Sequence, residues 1–372
     1  MRIAIMGTRG IPANYGGFET FAEELSTRLV AHGHQVAVYG RSHYVDQTLQ
    51  SYRGVGLVVL PAVRTKYLDT VSHTFLSCLH GCRHRHDIVL ICNAANAIFA
   101  LPLRLTGQRV VVNVDGLERQ RAKWNWLGRA YYHLAEYLST ICANAFVTDA
   151  RTIERYYLTT YGAASTFIPY GARTESILSD NALLHYGLNK RRYVLYVSRL
   201  EPENNAHVVI KAYASVQSPF RLVIVGDAPY NDEYIRELKR TGDSRVIFTG
   251  AIYGQSYWEM LANAACYIHA TEVGGTHPAL IEAMAQGNIV LVNETPENVE
   301  VTGGAGLLYR RNDAEDLAGK LQLVVNAPEQ YEEYRHRARH RIAAHYSWDN
   351  VTDQYEALFY SLLERKARFG RT

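Results

Sequence analysis

At 372 residues, with 48% hydrophobic and 20% charged residues, the chain is too long for one ordinary core and too apolar for a disordered one, and it fits two domains of usual size. A net charge of only +3, with acids and bases interspersed, excludes the concentrated basic field that holds nucleic acid. The five cysteines are odd in number, and Cys92, Cys142 and Cys266 lie in apolar surroundings, which reads as buried free thiols of a reducing compartment.

The chain opens on an apolar run, residues 2–6, that meets Gly7 at once. That pattern is a strand entering a turn and is too short for a signal-peptide core. No stretch reaches bilayer-spanning length, so a cytoplasmic protein is expected. A glycine-bearing loop then leads into a helix predicted over 17–31, where Phe18, Phe21, Ala22, Leu25 and Leu29 recur at helical spacing and Gly33 ends the pattern. Strands are predicted at 35–39, 57–60, 88–92, 109–114, 145–148 and 167–168. Periodicity fades over 173–190, read as a connector. A second alternating block has strands at 193–197, 222–225, 246–248, 266–269 and 289–292, and the tail from Trp348 to about residue 366 reads as one amphipathic helix. The expected architecture is α/β: two doubly wound, parallel-sheet domains at 1–172 and 191–346, facing across a cleft, with residues 347–372 crossing back to the first domain.

Three loops carry chemistry. In Gly7-Thr-Arg-Gly-Ile-Pro-Ala-Asn-Tyr-Gly-Gly17, the glycines let backbone amides approach a ligand, and the following helix offers a positive dipole end to phosphate. A purely structural turn is the alternative, because the spacing is not that of a dinucleotide fold and no acid follows Gly40-Arg41 to hold a ribose. In Val197-Ser-Arg-Leu-Glu-Pro-Glu-Asn-Asn205, Arg199 stands at a strand end where a guanidinium can hold a diphosphate, the alternative being a surface ion pair with Glu201 or Glu203. In Glu272-Val-Gly-Gly-Thr-His-Pro-Ala-Leu-Ile-Glu282, amides near Gly275 and Thr276 point toward an anion or sugar hydroxyls. Glu282, about one turn into the helix among apolar neighbours, is placed to accept from a ribose diol.

Together with Asn113-Val-Asp-Gly-Leu-Glu118 and Ile168-Pro-Tyr-Gly171, these loops resemble retaining glycosyltransferases of family 4, of GT-B architecture, over essentially the whole chain. The subgroup most similar is that of bacterial rhamnosyltransferases. The resemblance implies a cytoplasmic enzyme, or one peripheral on the inner membrane face, that moves a sugar from a nucleotide-sugar donor to a saccharide or lipid-linked acceptor in surface-polysaccharide assembly. Gly16 and Gly17 would face the donor phosphates, Arg199 would neutralise the departing diphosphate, and Glu282 would hold the ribose. Gly274, Gly275, Thr276 and His277 would contact the transferred sugar. Asp115 stands where many relatives have a histidine beside the reacting sugar. Asn204 and Asn205 occupy the place of the family's lysine and are counted with the donor-binding residues. Gly274 replaces the family's first glutamate, with Glu272 nearby but out of register. The subgroup suggests dTDP-rhamnose as donor. No Asp-x-Asp pair ends a strand, so no metal or other cofactor is expected.

Two further segments are weighed. His80-Gly-Cys-Arg-His-Arg-His86 reads as a solvated basic loop rather than a metal site. Arg119 to Trp126 mixes cations with two tryptophans, which suits either a membrane face or core packing of Trp124. Two other functions fit the architecture: a sugar-nucleotide 2-epimerase, whose acid/base set the Gly-Gly-Thr loop does not resemble, and a partner subunit that binds nucleotide sugar without turnover.

Overall fold

The computed structural model describes residues 1–13, 16–65, 68–121, 124–228 and 231–369, with the backbone alone for 365–369. The chain forms two compact units, residues 1–171 with 348–372 and residues 172–347.

The first unit runs β1 (Arg2–Met6), α1 (Gly17–Ala31), β2 (Gln35–Arg41), β3 (Ser51–Tyr52), β4 (Val55–Leu60), α2 (Asp69–Arg83), β5 (Ile88–Cys92), α3 (Ala100–Leu105), β6 (Arg109–Asn113), α4 (Trp126–Cys142), β7 (Ala145–Thr148), α5 (Arg151–Tyr161) and β8 (Thr166–Phe167). Its sheet order is β3-β4-β2-β1-β5-β6-β7-β8, parallel except for the β3–β4 pair. All five residues of β5 are buried, as in a sheet covered on both faces, which is why such strands read as apolar runs rather than alternating ones.

The second unit runs α6 (Asn181–His185), β9 (Tyr193–Val197), α7 (Ala206–Ala214), β10 (Arg221–Val225), α8 (Asp232–Leu238), β11 (Val246–Gly250), α9 (Gly254–Ala262), β12 (Cys266–His269), α10 (Pro278–Ala285), β13 (Ile289–Asn293), α11 (Pro296–Thr302), β14 (Leu307–Tyr309), α12 (Ala314–Asn326) and α13 (Glu332–His345). Its parallel sheet has the order β11-β10-β9-β12-β13-β14. The fold is therefore α/β with two doubly wound parallel sheets. In each, the strand order reverses beside the unit's first strand, between β1 and β5 in one and between β9 and β12 in the other.

The last helix, α14 (Trp348–Phe369), belongs to the first unit. Tyr355 packs on Phe21 of α1 at 5.4 Å between ring centroids and accepts a 2.9 Å hydrogen bond from the Asn113 amide. A Cβ on Gly171 would stand 2.5 Å from the Trp348 ring, so this docking needs glycine there.

Several sequence expectations change. Residues 173–190 lie in the second unit and include α6, which packs on α9. β3 and β14, of two and three residues, are too short to show a period. His80 to Arg83 form the last turn of α2 rather than a loop: Cys78 and Gly81 face the core, while His80 stacks on His84 and bonds the Tyr39 hydroxyl at 3.0 Å. The cysteines are free, with Cys78, Cys92, Cys142 and Cys266 buried.

Candidate functional site

In a doubly wound sheet, loops leaving the two strands at the reversal part to opposite faces and open a crevice at the strands' carboxyl ends. In the second unit, those loops are Ser198 to Asn205 after β9 and Ala270 to His277 after β12. Arg199, the Gly274–His277 segment and, through α10, Glu282 thus border one switch point. The Arg199 side chain is 43% exposed and lies 3.8 Å from Glu201, the limit of an ion pair. Both sequence readings of this arginine are compatible with such a loose contact.

Asn204 and Asn205 are occupied by the protein itself. The Asn204 amide donates to the Arg199 carbonyl at 2.7 Å, and its own carbonyl accepts from Tyr196 at 2.6 Å. Asn205, at φ 60°, joins a short 3-10 turn to α7 and donates to the Ala270 carbonyl at 3.0 Å and to Asn312 at 2.9 Å. Asn312 also accepts from Asn293 at 2.9 Å and donates to Glu272 at 3.0 Å. This net ties the ends of β9, β12 and β13 together, and its buried amides are paired as burial requires. Burial opposes ionisation of Glu272, but Arg311 and Asn312 outweigh it and hold the carboxyl below its usual range. Glu272 is turned to that pair.

His277 precedes α10, and its ring covers Gly274 so closely that a Cβ there would stand 2.4 Å from it. The same ring packs on buried His269, centroids 4.8 Å apart; burial, then His277, keep His269 well below the usual imidazole range and hence neutral. Thr276 and Gly275 are buried, and Gly274 is half-buried. Pro278 at the first position of α10 needs no N–H partner. Glu282 is buried and accepts a 2.5 Å hydrogen bond from the Tyr257 hydroxyl of α9. Burial, then the Glu282 charge, push the Tyr257 phenol well above its usual range, so it remains a donor. Removing that donor with Tyr257→Phe is expected to weaken nucleotide binding roughly fivefold, the scale of one hydrogen bond, measured by titration calorimetry. Unchanged affinity would show that Tyr257 does not position Glu282 for a ligand.

In the first unit, the loop from Gly7 is braced from within. The Arg9 amide donates to Glu19 at 3.0 Å and the Ala13 amide to Glu23 at 2.7 Å, so these two N–H groups are engaged by carboxylates of α1. Burial raises the Glu19 carboxyl above its usual range against the Arg9 amide and the charges of Arg9 and Arg41. Arg41, itself buried, pairs with Asp69 at 2.5 Å. Gly16 caps α1 without a side-chain bond and Gly17 is the helix's first residue; Asn14 and Tyr15 of the motif lie outside the described residues. Asp115 stands at φ 55° just past β6, its amide held by the Asn113 side chain at 3.0 Å. Its charge adds to burial in keeping Tyr170 and Tyr355 protonated. Tyr170 also meets Phe18 and Phe21 edge-on at 6.4 and 5.5 Å, so the start of α1 and Asp115 converge on one tyrosine. Trp124 packs on Tyr132 at 4.9 Å, whereas Trp126 is exposed.

Tyr257, Arg311 and Asn312 were not among the residues singled out by sequence. Tyr257 stands 25 positions from Glu282 in a segment without a motif, and no pattern pairs them. The φ 57° at Asn312 follows from an Arg-Asn-Asp turn signal that does identify a turn but not its partners.

Residues 185–341 match the family model of glycosyl transferases group 1, and residues 1–173 match one described only as a domain of unknown function. Over those residues the second unit is thus similar to group 1 glycosyl transferases, and the chain as a whole has the GT-B fold of its structural neighbours. O-antigen chain mannosyltransferase B of Escherichia coli is 24% identical over 181 residues, 46% of each protein. The N-acetylgalactosamine-N,N'-diacetylbacillosaminyl-diphospho-undecaprenol 4-alpha-N-acetylgalactosaminyltransferase of Campylobacter jejuni is 24% identical over 177 residues, 46% of this chain and 47% of that protein. The chain thus spans about half the length of these two relatives. A GDP-mannose-dependent alpha-mannosyltransferase of Corynebacterium glutamicum is 24% identical over 410 residues, covering 99% of this chain and 89% of the relative. Among solved structures, sucrose-phosphate synthase from Thermosynechococcus elongatus has a TM-score of 0.83 at 18% identity, covering 98% of this chain and 99% of that one. Anabaena HepE in complex with UDP has a TM-score of 0.78 at 16% identity, covering 97% and 100%. At these identities the two structures bear on fold alone.

Proposed function

We propose that the chain transfers a sugar from a nucleoside diphosphate donor to a saccharide or lipid-linked saccharide acceptor, with retention of anomeric configuration and without a metal, in surface-polysaccharide assembly. The observation that carries this reading is the gathering of Arg199, the Gly274–His277 segment and the Tyr257-held Glu282 around the β9/β12 switch point of a unit similar to group 1 glycosyl transferases. In the reaction, the bond from the anomeric carbon to the diphosphate breaks, a bond to the acceptor oxygen forms, and the acceptor's proton leaves with the diphosphate. Charge grows on the leaving group, where Arg199 and amides at the start of α10 would stabilise it. Glu282 would accept from the ribose, and Asp115 of the first unit would orient the acceptor or stabilise the oxocarbenium.

For the donor, the motif resemblance favours dTDP-rhamnose, and the names of two relatives favour a mannosyl donor. Titrating dTDP, GDP and UDP into the purified chain with chelator present, then supplying the matching sugar nucleotides, decides between them. One nucleotide is expected to bind and its sugar to be transferred, with Asp115→Asn impaired. Folded protein that binds none of the three would sink the donor-site reading, and full transfer by Asp115→Asn would sink the role of that residue.

A second reading, a nucleotide-sugar-binding subunit without turnover, draws on one observation: Asn204 and Asn205 are locked in internal hydrogen bonds where the family has a cation. Binding without transfer to any acceptor would favour it.

A further inference from the structure

Three helices of the first unit each present a wet apolar stripe. On α4 the buried side is Tyr132, Ala135, Glu136, Ser139 and Cys142, while Leu127, Leu134 and Ile141, spaced by seven, are exposed with Trp126 before them. On α3, Leu101 and Leu105 are exposed at a spacing of four, Leu105 to 80%; on α2, Phe75 and Leu79 repeat that spacing. The stripes are neighbours, because α2 and α4 both pack on the 3-10 turn Ala94–Phe99 that leads into α3. Phe75 meets Phe99 at 6.2 Å, and the Tyr131 hydroxyl of α4 bonds the Ala95 carbonyl at 2.7 Å. Single exposed leucines need no explanation; adjoining stripes on three helices do.

Charge selects the partner. Residues 61–142 contain ten Lys/Arg and five Asp/Glu, an excess larger than the +3 of the whole chain. None of those five acids is exposed, whereas Arg64, Arg83, Arg85 and Arg129 are. A second copy of this face would meet cation with cation. An anionic bilayer offers both the apolar depth and the opposite charge. No described helix is long and apolar enough to cross a membrane, so the helices would lie on it.

We propose that the face formed by α2, α3 and α4 docks the protein on an anionic lipid surface; that this brings it to a lipid-linked acceptor rests on the function proposed above. The test is sedimentation of the full chain with vesicles of phosphatidylcholine and phosphatidylglycerol. Binding is expected, weakened by high salt and by pure phosphatidylcholine. The combined variant Leu127→Ser, Leu134→Ser, Ile141→Ser should bind about tenfold more weakly, and so should Arg83→Glu, Arg85→Glu, Arg129→Glu, whose exposed sites do not endanger folding. Wild-type protein that stays in the supernatant, or charge-reversed protein that binds equally well, overturns the proposal. So does a soluble dimer that the serine variant dissociates. Nucleotide titration of each protein separates the two readings: intact nucleotide binding without vesicle binding sinks the docking face alone, and the reverse sinks the donor site alone.

Discussion

Arg199→Ala is expected to lower kcat/KM for transfer about a hundredfold, or roughly 3 kcal/mol of barrier, the usual cost of losing one preorganised contact to a leaving group's charge. The Arg199 backbone is fixed: its carbonyl accepts from Asn204 at 2.7 Å and from the Glu201 amide at 2.8 Å, which sets where the side chain starts. Among the described residues the side chain, 43% exposed, has its ion pair with Glu201 at 3.8 Å, and a contact of that length is readily exchanged for a diphosphate. Arg199→Lys should recover part of the loss, since it keeps the charge but not the two-pronged geometry. The measurement is steady-state transfer with the donor that the nucleotide titration selects. Turnover within threefold of wild type would show that Arg199 is a surface ion-pair residue and that the leaving group is neutralised elsewhere.

Gly226→Ala is expected to destabilise the protein by about 3 kcal/mol or more, because backbone, not a flexible side chain, stands in the way. Gly226 has φ 149°, and an added Cβ would lie 1.8 Å from the Ser198 carbonyl oxygen. The two segments are locked in register, with the Gly226 amide donating to Gly250 at 2.9 Å and the Ser198 amide to Val225 at 3.1 Å. Relief therefore requires Ser198 to move, and Arg199 with it. Urea unfolding should show a lowered midpoint with an unchanged slope, and nucleotide affinity should fall as well. Wild-type stability would mean that the loop yields freely and that the close approach does not position Arg199.

Periodicity and punctuation made the scaffold legible. The continuous apolar runs at β1, β5, β9 and β13, each followed by a loop and a helix, define parallel sheets before any contact is known. Two of the three loops were legible for a related reason, since a glycine cluster at a strand-to-helix turn marks where backbone comes close to something, and the loop at 197–205 was legible from an arginine at a strand end. What it comes close to was not legible. The Gly7–Gly17 loop has the composition of an anion cradle, yet its Arg9 and Ala13 amides donate to Glu19 and Glu23, each ten residues further along the chain, a pairing that no motif encodes. Asn204 and Asn205 have the chemistry of ligand-binding side chains, and the fold uses them as internal braces.

By itself, then, the amino-acid sequence determined the two-sheet architecture, the strand-end loops at which Arg199 and Asp115 stand and the helix that carries Glu282, because backbone periodicity and glycine placement are local properties of the chain. The tertiary structure alone decided which hydrogen-bonding groups are engaged inside the protein, that Tyr257 holds Glu282, and that the exposed stripes of α2, α3 and α4 adjoin. Those facts depend on groups that no local pattern pairs, Tyr257 and Glu282 being 25 residues apart, meeting in a packed interior where each buried polar group takes whichever partner the fold brings within about 3 Å.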